Sequence, residues 1–201
     1  MHSRTQAWHA LVLGGARSGK SAYAERLLVE DEEVLYAATA PRYEGDAEWD
    51  ERIARHRTRR PPTWQTVEFG ESPGQLADLL LTADRTILVD SLTLWLTAAM
   101  DAVGAWDDEA WREGTPRAAL SHLVSGLVDA YSNSARSVVV VSDEVGLSVV
   151  PESAGTRRFR DELGTLNQAL AVAADEVALV VAGIALRLKP GSQDARIGVT
   201  Y

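Results

Sequence analysis

Four residues within eight positions carry the most specific chemistry in the chain. In "LVLGGARSGKS" (residues 11–21), Gly14, Gly19, Lys20 and Ser21 satisfy the spacing G-x-x-x-x-G-K-S/T. An apolar strand candidate precedes the loop and a helix candidate follows it. Glycines without Cβ let successive backbone N–H groups wrap a phosphate, and the helix N-terminus adds about half a positive charge. The pattern assigns Lys20 to the β- and γ-phosphates and the Ser21 hydroxyl to Mg²⁺. The loop residues Gly15, Ala16, Arg17 and Ser18 complete the cradle.

A phosphate loop of this kind needs a carboxylate at the end of a neighbouring strand. "TILVD" offers Asp90 after four apolar or β-branched residues, as a metal group, a helix N-cap or both. "VVVVSDEVG" offers Asp143 and Glu144 at the edge where α/β sheets place ligands, to orient a substrate or to cap the next element. In "DAEWDERIARHRTRRPPTW" (46–64), Glu48, Arg52 and His56 recur every four residues and share one helix face, while Trp49 and Ile53 point to the core. Arg57, Arg59 and Arg60 make the following turn a basic patch suited to a triphosphate. His56 is a base, a nucleophile or a bystander there, and a solvated basic helix end is the plainer alternative. His2, His9 and His122 have no such setting and read as structural.

These groups must be positioned by a scaffold. Strand candidates are Ala10–Leu13, Glu33–Ala37, Thr66–Phe69, Thr86–Asp90, Ser137–Ser142 and Glu176–Ala182. The continuous apolar runs of the last two imply burial on both faces. Helix candidates are Ser21–Glu30, Asp46–Thr58, Pro73–Thr82, Pro116–Ser132 and Thr156–Ala174. Alternation of the two predicts a doubly wound α/β sheet. "DAVGAWDDEAWREGTP" (101–116) reads as a mobile loop, "RRPP" as a helix end, and residues from Arg187 onward as a short strand and tail.

The 201 residues suit one nucleotide-binding domain, with 1–9 and 190–201 as tails. No cysteine is present, which excludes disulfides, thiolate zinc sites and a cysteine nucleophile. A net charge of −9 argues against a nucleic-acid surface. No apolar run approaches the ~20 residues of a membrane span, so a cytoplasmic protein without membrane insertion is expected.

Together, "GGARSGKS", "YAATA", "RIARHRTRRPPTWQTVE", "ILVDSLTLWLT", "VVVVSDEVGLSVVP" and "RFRDELGTLNQALA" resemble the bifunctional adenosylcobinamide kinase / adenosylcobinamide-phosphate guanylyltransferase family of cobalamin biosynthesis. The resemblance runs from about Leu11 to Lys189. It implies a RecA-like P-loop fold, mostly parallel, with one antiparallel edge strand and helices on both faces. It implies two reactions: phosphorylation of adenosylcobinamide by ATP or GTP, then transfer of GMP from GTP with Mg²⁺. It places the covalent guanylyl carrier on His56. Residues Ala38, Thr39, Ala40, Arg57, Thr58, Arg59, Arg60 and Glu68 would line the guanine nucleotide site beside Asp90, and a trimer is implied. The chain departs from the family pattern at Ala98 and Ala99, at Asp143 where Asn is common, at Ser148, and in an insertion before His56. A P-loop kinase or ATPase with no covalent step, and a GTP-dependent switch, are the competing readings.

Overall fold

The computed structural model describes residues 7–31, 33–40, 60–69 and 72–189. Seven strands form one sheet: β1 (His9–Gly14), β2 (Val34–Ala38), β3 (Gln65–Glu68), β4 (Thr86–Asp90), β5 (Val138–Asp143), β6 (Glu176–Val181) and β7 (Ile184–Lys189). Their spatial order is β3-β2-β4-β5-β1-β6-β7. Every pairing is parallel except β6–β7, an antiparallel edge hairpin. The α/β, mostly parallel arrangement is therefore the one the alternation and the resemblance called for.

The central strands are apolar at consecutive positions because both faces are covered. Leu11, Leu13, Leu35, Ala37, Ile87, Val89, Val138 and Val140 pack on one face; Ala10, Val12, Val34, Tyr36, Leu88, Val139 and Val141 pack on the other. This is the two-residue period of a strand, with each parity meeting its own helix layer. Helix α1 (Lys20–Leu27) contributes Ala24 to the second layer, closed by Trp8 and Trp64. Helices α2 (Gln75–Thr82), α3 (Leu92–Val103), α5 (Thr115–Asn133) and α6 (Ala154–Ala173) build the first.

The structure departs from the sequence expectations at four points. Residues 101–116 are not a loose loop. They finish α3, form the short helix α4 (Asp108–Glu113) and open α5. Asp107 caps α4, its Oδ1 accepting from the backbone N–H groups of Glu109 and Ala110. Trp111 is buried, with the Arg158 guanidinium 4.6 Å from its ring centroid. Arg158 also bonds Asp108 (2.8 Å) and the Ala105 carbonyl, so acids and glycines here serve as caps and ion-pair partners. Second, helix α3 was not anticipated, although Leu92, Trp95, Leu96, Ala99 and Met100 recur at steps of three and four and are all buried. Third, residues 8 and 9 are no tail. Trp8 is buried, and the Val138 N–H donates to its carbonyl, while His9 opens β1. The final strand also starts earlier than expected, at Ile184. The expected helix over 46–58 and the tail from 190 lie outside the described residues.

Candidate active site

The chain's glycines set the cradle at the end of β1. A Cβ on Gly14 would stand 2.4 Å from Ser18 Oγ and 2.6 Å from the Val180 carbonyl, so only glycine fits where the loop folds back on β6. Gly19 caps α1 at φ 95°, and a Cβ there would stand 3.3 Å from the Gly183 Cα of the β6–β7 turn. The Gly183 N–H donates to the Ser18 carbonyl at 2.8 Å, so the edge hairpin buttresses the loop. No side chain caps the N-terminus of α1 and its first turn carries no acid. Its N–H groups face the loop as donors for an anion. Gly15, Ala16 and Arg17 are exposed along the rim, and Ser21 lies in the first turn of α1.

Beside the cradle, β5 ends on Asp143, opposite Gly14 in the register. Lys20 Nζ lies 2.5 Å from Asp143 Oδ1 and also donates to the Gly15 carbonyl at 3.2 Å. Thr93, on α3, donates to Asp143 Oδ2 (2.6 Å) and accepts from the Asp143 N–H (3.1 Å). Asn167 Nδ2 holds the Asp143 carbonyl from α6 at 3.2 Å. The loop lysine thus rests on a residue held from two other helices, its carboxylate by Thr93 and its backbone carbonyl by Asn167. This pairing with Lys20 is neither of the two roles expected for the acid, which were to orient a substrate or to cap the next element. Glu144 turns away, its Oε1 accepting from the Gly146 N–H while its own N–H donates to the Gly14 carbonyl.

Two strands from β1, about 10 Å along the sheet edge, β4 ends on Asp90. Asp90 Oδ2 accepts the Tyr36 hydroxyl at 2.9 Å. Burial above all, then the Asp90 charge, holds the Tyr36 phenol above its ordinary range against the pull of Arg60, so it stays a donor. The Arg60 guanidinium carbon lies over the Tyr36 ring, 3.6 Å from its centroid, and Arg60 reaches Thr66 Oγ1 at 3.4 Å. Ala38 closes β2 beside Asp90, and Thr39 follows it. The Thr39 hydroxyl donates to the Ser91 carbonyl (2.6 Å) and accepts from the Ser91 N–H (2.9 Å), so it is spent on the backbone after Asp90. Glu68 ends β3, paired with Ala38 in register and four strands from β1, about 19 Å away. Ala40 follows the same edge, and His56, Arg57, Thr58 and Arg59 lie outside the described residues.

The sheet's carboxyl edge therefore gathers Lys20, Ser21, Asp90, Asp143 and Glu68 in one row. Ser21 and Asp90 are hard oxygen donors of the kind Mg²⁺ takes. Among the described residues no three His, Asp or Glu side chains cluster as a metal cage. His9 and His122 are far from this edge in role: His9 sits at the opposite end of β1, and His122 within α5.

Sequence reasoning missed Tyr36, Thr93 and Asn167. Nothing local marks Tyr36 or Thr93, whose partners are 54 and 50 positions away.

The family model described as cobinamide kinase / cobinamide phosphate guanyltransferase matches residues 10–188. The chain belongs to this family. It is 40% identical over 180 residues to the bifunctional adenosylcobalamin biosynthesis protein CobU of Salmonella typhimurium, covering 89% of this chain and 98% of that one. It is 42% identical over 183 residues to the CobP protein of Pseudomonas aeruginosa, with 89% and 96% covered. Among solved structures, a type III secretion ATPase matches with a TM-score of 0.53 and 12% identity, over 94% of this chain and 60% of that one. That likeness shows the RecA-like P-loop fold and nothing of the activity. Family membership makes this an enzyme of cobalamin biosynthesis with cobinamide kinase and cobinamide phosphate guanylyltransferase activity.

Proposed function

We propose that the two reactions share the row of groups on the sheet edge and that the second runs through a guanylylated His56. In the first, the hydroxyl of the aminopropanol arm of adenosylcobinamide attacks the γ-phosphorus of ATP or GTP. The bond to the β–γ bridging oxygen breaks, the nucleoside diphosphate leaves and the hydroxyl proton passes to water. Lys20 leaves Asp143 for the β- and γ-phosphates, and the backbone N–H groups from Gly15 to Ser21 hold the oxyanions. In the second, a neutral His56 nitrogen attacks the α-phosphorus of GTP and pyrophosphate leaves. The cobinamide phosphate oxygen then attacks the same phosphorus, the N–P bond breaks, and adenosyl-GDP-cobinamide forms. Splitting one displacement in two is the general gain of covalent catalysis.

Ser21 and Asp90 would hold Mg²⁺, which when bound neutralises phosphate charge. Arg57, Arg59 and Arg60 neutralise the leaving pyrophosphate, Ala38 to Ala40 line the nucleotide, and Glu68 accepts from guanine N1–H and the 2-amino group. The enzyme works as a cytoplasmic homo-oligomer, a trimer, built from one nucleotide-binding domain per chain.

The observation that supports the histidine step is Arg60. It lies four residues after His56, and its guanidinium packs on the ring that bonds Asp90. The test is incubation with Mg²⁺ and GTP labelled at the α- or the γ-phosphorus, followed by denaturing gels, with His56→Ala alongside. Acid-labile label from α-GTP alone, absent in the variant, is the expected result. Phosphorylation of cobinamide without any protein label would reduce the protein to a P-loop kinase with no covalent step. A single species of three protomers by light scattering is the expected assembly.

A further inference from the structure

We propose that Tyr36 is a positioning residue for the metal carboxylate: its hydroxyl fixes the rotamer of Asp90 while its ring carries Arg60. This rests on reading Asp90 as the Mg²⁺ group.

The sheet dictates the contact. Tyr36 on β2 stands opposite Leu88 on β4, so Asp90 lies two residues further along on the same face. A diagonal pair of this kind is within reach of a long aromatic side chain, and here the phenol meets Asp90 Oδ2 at 2.9 Å. The ring is 5% exposed, packed with Leu88, Val34 and Ala24 in the layer under α1. A buried ring has no freedom to follow a wandering carboxylate, so the carboxylate follows the ring. Ser21 sits on α1, over that same face, so the pinned carboxylate and the Ser21 hydroxyl belong to one side of the sheet.

The ring's outer surface takes the Arg60 guanidinium at 3.6 Å, and Arg60 is also tied to Thr66 on β3. The cation rests on the ring's negative π-face, and the hydroxyl carries the negative carboxylate. Tyr36 thus meets a cation on its ring and an anion at its hydroxyl. Without the hydroxyl, Asp90 loses the bond that fixes Oδ2, and the geometry toward a metal is lost. Outer-shell partners of metal ligands typically cost 10- to 100-fold in metal affinity when removed.

The variant that isolates the hydroxyl is Tyr36→Phe, which keeps ring, burial and stacking. The measurement is the Mg²⁺ concentration giving half-maximal binding of a fluorescent N-methylanthraniloyl-GTP, together with its binding in EDTA and the melting temperature. Tyr36→Phe should raise the Mg²⁺ midpoint about 10-fold and leave the EDTA affinity unchanged. Asp90→Asn is run beside it and should shift the midpoint at least as far. If Asp90→Asn shifts it and Tyr36→Phe does not, Tyr36 does not position Asp90, and the reading of Asp90 stands. If neither shifts it, both fall. If only Tyr36→Phe shifts it, the hydroxyl acts elsewhere and the positioning role is overturned. Equal loss of affinity with and without Mg²⁺ would show a structural role alone and overturn it too. Tyr36→Leu, which also removes the stacking surface, should exceed Tyr36→Phe in its effect on melting temperature but not on the Mg²⁺ midpoint.

Discussion

The two ends of the site row are built by different means. At the β1 end the chain holds itself: glycine fits where no Cβ would, the Gly183 N–H ties the loop to the hairpin, and α1 offers uncapped N–H groups. At the β4 end side chains hold one another: Tyr36 on Asp90, Arg60 on Tyr36, Thr39 on the backbone of Ser91. The cradle is rigid because its donors are part of the fold. The Asp90 end depends on rotamers, each set by a partner from another strand. A single methyl group should break the first, whereas the second should weaken contact by contact.

The largest effect should follow Gly14→Val. Its Cβ would overlap both Ser18 Oγ and the Val180 carbonyl, and the carbonyl belongs to β6 and cannot rotate away. Overpacking of this kind costs about 1–3 kcal/mol or more, and here it falls on the loop. Binding of GTP should weaken by roughly 100-fold by titration calorimetry, with near-normal far-UV circular dichroism. Gly15→Ala, where a Cβ meets nothing within 4 Å, should bind within a few-fold of the parent. Equal losses at both positions would contradict a cradle set by sterics.

Between the two ends lies the Lys20–Asp143 pair, where backbone-held and side-chain-held parts meet. Lys20 must leave Asp143 to reach a phosphate, and the carboxylate, bonded by Thr93 and close to the cradle, also repels the incoming anion. Asp143→Asn removes the attraction and the repulsion while keeping the shape. GTP affinity should rise about 5- to 10-fold, since a partly exposed pair is worth on the order of 1 kcal/mol and the lost repulsion adds to it. The gain should shrink with added salt. Weaker binding by Asp143→Asn would mean that the carboxylate orients Lys20 for the phosphate instead of competing for it.

The same contrast explains what could be read from the sequence. The cradle was legible because glycine spacing is local and each glycine answers a local steric demand. The sheet was legible because strands such as Val138–Asp143 are apolar at four consecutive positions, Val138 to Val141, as double-sided burial requires. Asp90 and Asp143 were legible as acids closing apolar runs, but their partners were not. The bond of Tyr36 to Asp90 spans 54 positions and that of Thr93 to Asp143 spans 50, and neither leaves a local pattern. The segment 101–116 misled for a related reason. Its acids and glycines resemble loop composition until Trp111 and Arg158 are seen to meet, and they come from different helices. In "ILVDSLTLWLT" the strand ends only two residues before Leu92, so the apolar run masks the change from strand to helix, although Leu92, Trp95, Leu96, Ala99 and Met100 keep the three-and-four spacing of a helix.

The smallest expected effect lies at the other end of β1 and separates the scaffold from the site. His9 packs its ring against Tyr131 at 5.1 Å, with Nε2 buried and without a hydrogen-bond partner, while its backbone N–H donates to Asp175 Oδ2. Burial lowers its pKa below the ordinary 6.5, outweighing the Asp175 charge and the neighbouring backbone carbonyls that raise it. The folded state therefore binds this proton less readily than the unfolded chain. In the window below about pH 6.5 the unfolded state carries more protons, so stability falls as pH drops and is fully present above it. Melting temperatures between pH 5 and 7.5 should fall by a few degrees more on the acid side for the parent than for His9→Gln, which cannot titrate. GTP affinity at pH 7.5 should be the same for both, because the strand joins His9 to the cradle only through backbone pairing on both sides. Parallel acid slopes for the two proteins would place the acid sensitivity elsewhere. A changed GTP affinity would mean that the foot of β1 is felt at the loop, and that the cradle is less self-contained than its backbone bonds imply.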